Sequence, residues 1–493
     1  MTTDNFGNNQ VPTYTTTTNA QGTEEQQKER AQICSKLLFP SILYALTYTI
    51  LLYKNYSSIT MPVFIVATLG YFYYMTKTLH TIAIKTCIPY ATGMLLLGIS
   101  TCFTDSAILH ILNFLGIVVL LICMSFQQYC DVKNWTIVKY LSAFGLLIGG
   151  IFGTLVDELF SDIGCYYKKH RNTKNQKVGY VLLGIAISIP FLIFVTILFC
   201  SADAVFSEVV SKIFDSVFDI GDIVGVFMVF LLVFLVSYCS SRFMNQKKIS
   251  ESIPDFRRHE PLIGNTILSL TSALYLFFSG IQIVSLFLGK MALPKGYTYA
   301  QYAREGFFQL LFVSLMNIFL VLFFVEFFKD NQLMKILLTV ICACTYIMIA
   351  SSALRMCMYI SAYRLTFLRI FVLWFLAVLA VVLSGVIIQI YKRSFPLFRY
   401  ILLVVSVFYI SFSFAHPDYW IAKYNLNHPT QNMGTYAVDD NYLQNLSADA
   451  APAIAECDEK WAEEYKKEFL KDYDKNPLKF NFSTWYAYHL FEK

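Results

Sequence analysis

Apolar residues run along this chain in blocks of about twenty, separated by short polar breaks. A block of that length, wound as an α-helix, crosses the roughly 30 Å hydrocarbon core of a bilayer. Eleven blocks meet the requirement, near 36–53, 60–79, 87–104, 106–127, 178–200, 220–241, 263–289, 305–328, 333–354, 366–391 and 398–415. The alternating ten-residue segments of an outer-membrane barrel do not occur. The pattern predicts an all-α fold, a polytopic membrane bundle with a four-span group over 31–135 and a seven-span core over 178–415. Composition agrees. Apolar residues make up 56% and charged residues 14% of the 493 positions, against about 25% charged in an ordinary soluble chain. A soluble enzyme, a disordered protein and a disulfide scaffold are excluded.

A twelfth block, 136–156, is long enough to cross, but Gly145, Gly149, Gly150 and Gly153 weaken it and Lys139 lies within it. Charge decides its reading, because Lys and Arg gather on cytoplasmic loops close to span ends. If the block does not cross, 22 Lys and Arg fall on the cytoplasmic side and seven on the outer loops. If it crosses, the basic run 168–177 moves outside and Asp203, Glu208, Asp215 and Asp219 move inside. The segment 136–177 is therefore expected to be a re-entrant or surface-lying helix followed by a basic cytoplasmic loop. The N-terminus is then cytoplasmic and the C-terminus extracytoplasmic.

Residues 1–30 are Thr, Asn, Gln and Gly with a few charges, which predicts an unstructured arm. No cleavable leader opens the chain, and the first span is expected to act as the insertion signal. The tail 416–493 carries 13 Asp and Glu against eight Lys. Its stretch 452–474 reads as one helix with Ile454, Trp461, Tyr465 and Leu470 on an apolar face. A module of that size needs outside support, so it is expected to dock on the outer face of the bundle. Most of the twelve Cys lie in or beside apolar runs, where a free thiol acts as a small apolar group.

Motifs for zinc proteases, P-loops, nucleophile elbows and dinucleotide binding are missing. No catalytic residue, metal or cofactor is assigned, and nothing points to nucleic acid. His110 and Asn113 share one face of the fourth span and suit a helix–helix hydrogen bond. Gln282 and Asn317, deeper in successive spans, either line a polar path or bond to one another. The outer boundary holds the richest chemistry. Arg304 and Glu305 share a helix with Gln309, and Arg355, Tyr359, Arg364 and Arg369 follow in one segment. Three arginines near hydrocarbon need counter-charges, for which Asp203 and Glu305 are candidates. The alternatives are an anionic ligand or lipid headgroup held by guanidinium forks, or plain clamping of short hairpins.

Several of these blocks resemble a bacterial family of polytopic membrane proteins, domain of unknown function 4173, with its sister 4153. They are Ser201-Ala202-Asp203-Ala204-Val205-Phe206; Gln282 ahead of Leu-Phe-Leu-Gly; Tyr302-Ala303-Arg304-Glu305-Gly306-Phe307; Ala353-Leu354-Arg355-Met356 with Tyr359; and Leu365-Thr366 with Arg369. Ile421-Ala422-Lys423-Tyr424-Asn425 and Tyr442-Leu443 through Leu446-Ser447-Ala448-Asp449-Ala450 complete the set. The likeness runs over about 178–455. Arg364 stands where the family usually has Gly. The resemblance implies a multi-pass bacterial membrane protein without an established activity.

Under the eleven-span topology nearly every block falls at or beyond the outer boundary, which predicts one extracytoplasmic constellation with the tail folded over it. The expected function is transport of a small solute or anion, or ligand sensing, through that cluster. The alternative is a non-catalytic membrane partner in a regulatory or cell-envelope complex. An enzyme acting on a lipid-linked substrate, with Asp203 or Glu305 as acid or base, lacks a second carboxylate at a defined spacing. Expected partners are the bilayer itself, an anionic ligand or headgroup, and a membrane protein.

Overall fold

The structure, a computed structural model, describes residues 17–79, 84–133, 135–169, 220–246, 249, 257–284, 299–428, 430–432, 435–437, 440–457 and 459–492, with single positions between 188 and 206. Among them the fold is all-α, apart from an antiparallel hairpin of two three-residue strands, β1 (Thr430–Asn432) and β2 (Thr435–Ala437), and an isolated bridge between His259 and Phe328. Ten described helices are long and apolar enough to cross a membrane. Their outward faces are apolar, with Phe277 and Phe319 exposed to 70% and 73%. Such surfaces suit lipid and not water. The chain is a multi-pass membrane protein.

Nine of the ten coincide with expected spans. Thr60–Leu79 forms its helix but is less apolar than the ten, with three Tyr and Lys77 in its second half. The expected span 178–200 lies outside the described residues except for scattered positions. The tenth helix is the segment read as re-entrant or surface-lying. It does not turn back: α5 (Ile137–Gly153) continues through a π-helical turn, Thr154–Glu158, into α6 (Leu159–Lys169).

The chain divides into two compact units, one of 1–53, 71–80 and 146–248, the other of 54–70, 81–145 and 249–493. In the first, α1 (Thr17–Leu52) packs along α7 (Ile220–Asn245) and, at its polar N-terminal stretch, along α6. Arg30 donates to the Ser161 hydroxyl there at 2.8 Å. The expected arm over 1–30 is therefore helical from Thr17. The sequence Glu24 to Arg30 is made of strong helix formers, and the span that follows extends the same helix. Leu37, Met75, Leu159, Tyr238 and Cys239 form the core of this unit. Beside it, buried Arg242 donates to Asp162 at 2.8 Å, and Tyr238 donates to the same oxygen. Only Gly150 of the four α5 glycines is needed for close packing, since a Cβ there would enter the Phe243 ring.

The second unit is built around α10 (Gln332–Tyr363), flanked by α8 (Pro261–Gln282), α9 (Tyr299–Phe327) and α11 (Phe367–Tyr391). Leu338, Ile341, Cys342 and Met348 of α10 lie at its centre. A second layer joins α3 (Ile84–Phe103), α4 (Ala107–Tyr129) and α12 (Leu397–Phe414). Asn113 ties it together: its amide donates to Thr101 at 3.0 Å, and its oxygen accepts from Tyr409 at 2.8 Å and Ser413 at 3.0 Å. This is the helix–helix role, worth about 0.6 kcal/mol per bond in membrane bundles. His110 does not share it. Both its ring nitrogens are buried without a partner among the described residues.

The tail forms α13 (Pro417–Asn427), the β1–β2 hairpin, α14 (Asp440–Gln444), α15 (Ala451–Ile454), α16 (Lys460–Asp472) and α17 (Phe482–Phe491). The single helix expected over 452–474 is two. The chain leaves α15 through a turn, and Glu459 takes extended backbone before α16, its carboxylate accepting from the Trp461 indole at 2.6 Å. Ile454, Trp461 and Tyr465 join Ile421, Leu443 and Leu446 in the module's own core, onto which Leu365 and Phe367 pack.

Candidate functional site

The tail seats on the end of the second unit where three chain turns meet. The first is 53–59, ahead of α2 (Thr60–Leu79); the second is Thr104–Ser106, between α3 and α4; the third is Arg364–Thr366, between α10 and α11. Asn425 clamps the third turn by accepting from the Leu365 N–H at 2.9 Å and donating to its carbonyl at 3.0 Å. Tyr442 accepts from the Phe367 N–H at 2.9 Å. Asn481 reaches the other two turns, donating to the carbonyls of Ser57 (2.6 Å), Thr101 (3.2 Å) and Thr104 (2.8 Å).

The centre of the junction is Asp449, whose side chain is wholly buried. One carboxylate oxygen accepts from the Asp105 N–H at 2.9 Å and the Ser483 hydroxyl at 2.5 Å. The other accepts from the Thr104 hydroxyl at 2.5 Å and faces His416 Nδ1 at 3.4 Å. Burial alone would push this carboxyl up. The bonds from His416, Ser483 and Thr104 outweigh it and hold Asp449 below the usual carboxylate range, as an anion. Asp105 and Asp418 stand close by in the opposite condition. Burial pushes Asp105 up to about 6, against the pull of the Ala448 N–H and with the help of Asp449 and Asp418. Burial likewise raises Asp418, whose carboxylate accepts from Ser447 at 2.5 Å.

A cavity of about 630 Å³ opens beside this knot. Phe103 and Phe414, the last residues of α3 and α12, form part of its wall. Trp420, Phe482 and Tyr486 of the tail form another part, and His416 lies against the Asp449 side. The size and the mostly apolar lining, with a few converging polar groups, are those of a small-molecule pocket.

The residues picked out in the sequence fall differently. Arg355 is buried in α10 beside Gln282, which also accepts from Ser351 at 2.7 Å. Gly306 lets the Arg355 guanidinium in, because a Cβ there would overlap it. Arg369 lies over the Tyr359 ring at 4.3 Å and donates to the carbonyls of Tyr363 (2.6 Å) and Arg364. Arg364 donates to the Ser361 carbonyl at 2.9 Å. Both side chains thus serve the C-terminal carbonyls of α10. Asn317 accepts from Tyr275 at 2.7 Å and donates to Thr345 at 2.9 Å, a three-helix clamp and not a pair with Gln282. Gln309 is exposed. The side chains of Arg304 and Glu305 lie outside the described residues. Asp203 belongs to the other unit, where it accepts from the N–H groups of Val205 (2.7 Å) and Phe206 (3.2 Å) and caps a turn. Among the described residues no group of His, Cys, Asp and Glu is placed to hold a metal.

Residues 91–457 match the family described as Domain of unknown function (DUF4153). The chain belongs to this family. The motif blocks name the related family 4173 first; the match is to its sister, and it opens at residue 91 and not near 178. The DUF4153 region therefore includes Asp105 as well as Asp418 and Asp449, while Asn481 and Ser483 lie beyond it. No curated protein and no solved structure matches the chain.

Arg364 also stores strain. Its backbone, at φ 70° and ψ 179°, lies in a region that is essentially reserved for glycine and costs on the order of 1–3 kcal/mol elsewhere. Arg364→Gly is expected to stabilise the protein by about 1 kcal/mol in thermal unfolding, whereas Arg364→Ala gives no gain because the Cβ remains. Equal melting temperatures for all three would remove the strain argument.

Proposed function

We propose that this DUF4153 protein is a non-catalytic ligand sensor of a bacterial cytoplasmic membrane, with its C-terminal module closing a ligand pocket on the extracytoplasmic side. The observation that carries the reading is the 630 Å³ cavity walled jointly by span ends and tail, with the Asp449–His416 pair beside it. A ligand filling it touches both partners at once, so occupancy and docking are coupled. Catalysis is not favoured, because the Asp449 carboxylate is wholly buried and offers a substrate no exposed oxygen.

One observation supports the orientation. At the end of the second unit away from the tail, Lys133, Lys139, Lys329, Lys335, Lys392, Arg393 and Arg399 follow or precede the helix ends. That is the distribution of a cytoplasmic face.

Two measurements test the reading. A cysteine placed at Glu492 should react with a membrane-impermeant maleimide in intact cells. Cell-envelope extract should raise the melting temperature of the purified protein, and His416→Ala should abolish the rise; saturation at a hundred times Kd adds about 2.7 kcal/mol. Labelling only after lysis, or no stabilisation by any fraction, would overturn it.

A further inference from the structure

Phe103 and Phe414 end two apolar spans, so the cavity they wall stands at the level where hydrocarbon gives way to headgroups. The tail presents to its mouth an unusual set of exposed side chains for a module in water. Trp420 and Tyr486 are exposed to 53% and 47%, and Phe482 and Trp485 are exposed as well. Tryptophan and tyrosine collect at the bilayer interface, where one part of the ring is apolar and the other wet. A cavity at span ends, with such aromatic side chains beside it, suits a ligand of the bilayer interface.

Its charges are arranged by sign. The anionic Asp449, paired with His416, lies at the inner side. Behind two of the lining rings, Lys423 stands over Tyr419 and Trp420, at 5.3 and 5.8 Å from their centroids. An amine suits the inner side, where aromatic faces and a carboxylate both favour a cation. A phosphate suits the lysine. A headgroup carrying phosphate alone would bring a second negative charge toward Asp449.

We infer that the cavity binds a zwitterionic, amine-bearing phospholipid of the outer leaflet, its phosphate at Lys423, its amine toward His416 and Asp449, and its chains running down past Phe103 and Phe414. This rests on the ligand-binding reading above and names the ligand class.

The test uses the full chain in proteoliposomes of phosphatidylethanolamine and phosphatidylglycerol, one or the other carrying bromine on the acyl carbons nearest the glycerol. The Trp420 signal is the difference between the wild type and Trp420→Phe. Brominated phosphatidylethanolamine should quench that signal at least about twofold more than brominated phosphatidylglycerol. Ala415→Phe, which fills the cavity from the end of α12, should abolish the preference while the tail stays protease-resistant. Lys423→Gln, at an exposed position, should weaken it without touching the core, which guards against a variant that fails to fold. Equal quenching by both lipids in the wild type would overturn the lipid assignment. Outside labelling and extract-induced stabilisation that persist beside equal quenching would leave the sensor reading standing, whereas their loss would remove both.

Discussion

Replacing Asp449 by alanine releases the C-terminal module from the membrane bundle. The substitution strands the Thr104 and Ser483 hydroxyls and the Asp105 N–H in a buried site, because all three donate to that carboxylate. Each stranded donor costs about 1–3 kcal/mol, so the three together are expected to cost docking at least about 3 kcal/mol. An opening equilibrium shifted by that much frees the module, and with it the backbone of α16 for local unfolding, at least about a hundredfold more often. Trypsin digestion in nanodiscs reads this as a matching rise in the cleavage rate near Lys466 and Lys467. Asp449→Asn keeps an acceptor and loses the charge, so it falls between. An unchanged cleavage rate in the alanine variant would mean that the apolar contacts of Leu365 and Phe367 hold the module without the knot.

Docking also weakens as the medium becomes alkaline. Asp105 has a higher pKa in the folded protein than in the unfolded chain, so the folded state favours its protonated form. Its contribution is fully present below the ordinary value of 3.8, and is lost as pH rises through about 6. The full swing is about 3 kcal/mol at most. Asp418, raised by burial, adds in the same direction. Asp449 has the opposite sign. Its depressed pKa contributes stability above the unfolded value, and that is lost as pH falls through the folded one. Module protection should therefore be greatest near pH 4 and should decline as pH rises through about 6. Asp105→Asn keeps an acceptor for the Ala448 N–H and should flatten the alkaline limb. A wild-type profile already flat between pH 4 and 6 would show that Asp105 ionises without strain.

The membrane spans were legible because each is a local property, about twenty apolar residues that need no partner to be recognised. The tenth helix was harder. Its glycines argued against a continuous rod, but in α5 neighbouring side chains close around Gly150 alone and the rest cost only helix propensity. The N-terminal helix was missed because composition described Glu24–Arg30 as solvated, while α6 supplies it with a partner.

The arginines were conspicuous as charges near hydrocarbon, yet Arg364 and Arg369 bond backbone carbonyls that no side-chain pattern reveals. Asp449 had a weaker signal, one acid inside the Leu446–Ala450 block. Asp105 had one too, a carboxylate in a three-residue turn between two apolar spans. What the sequence could not state is that these two positions are neighbours. They lie 344 residues apart, and only the folded tail brings them together.

That separation dictates an order of assembly. Asp449 and Asn481 supply partners to groups on the first hairpins that were synthesised more than 340 residues earlier. Until those later residues have been synthesised and folded, the turns wait without these partners. A product terminated just after α12 would keep every span and still lack its closure. To the proteases that patrol the membrane, it would look unfinished.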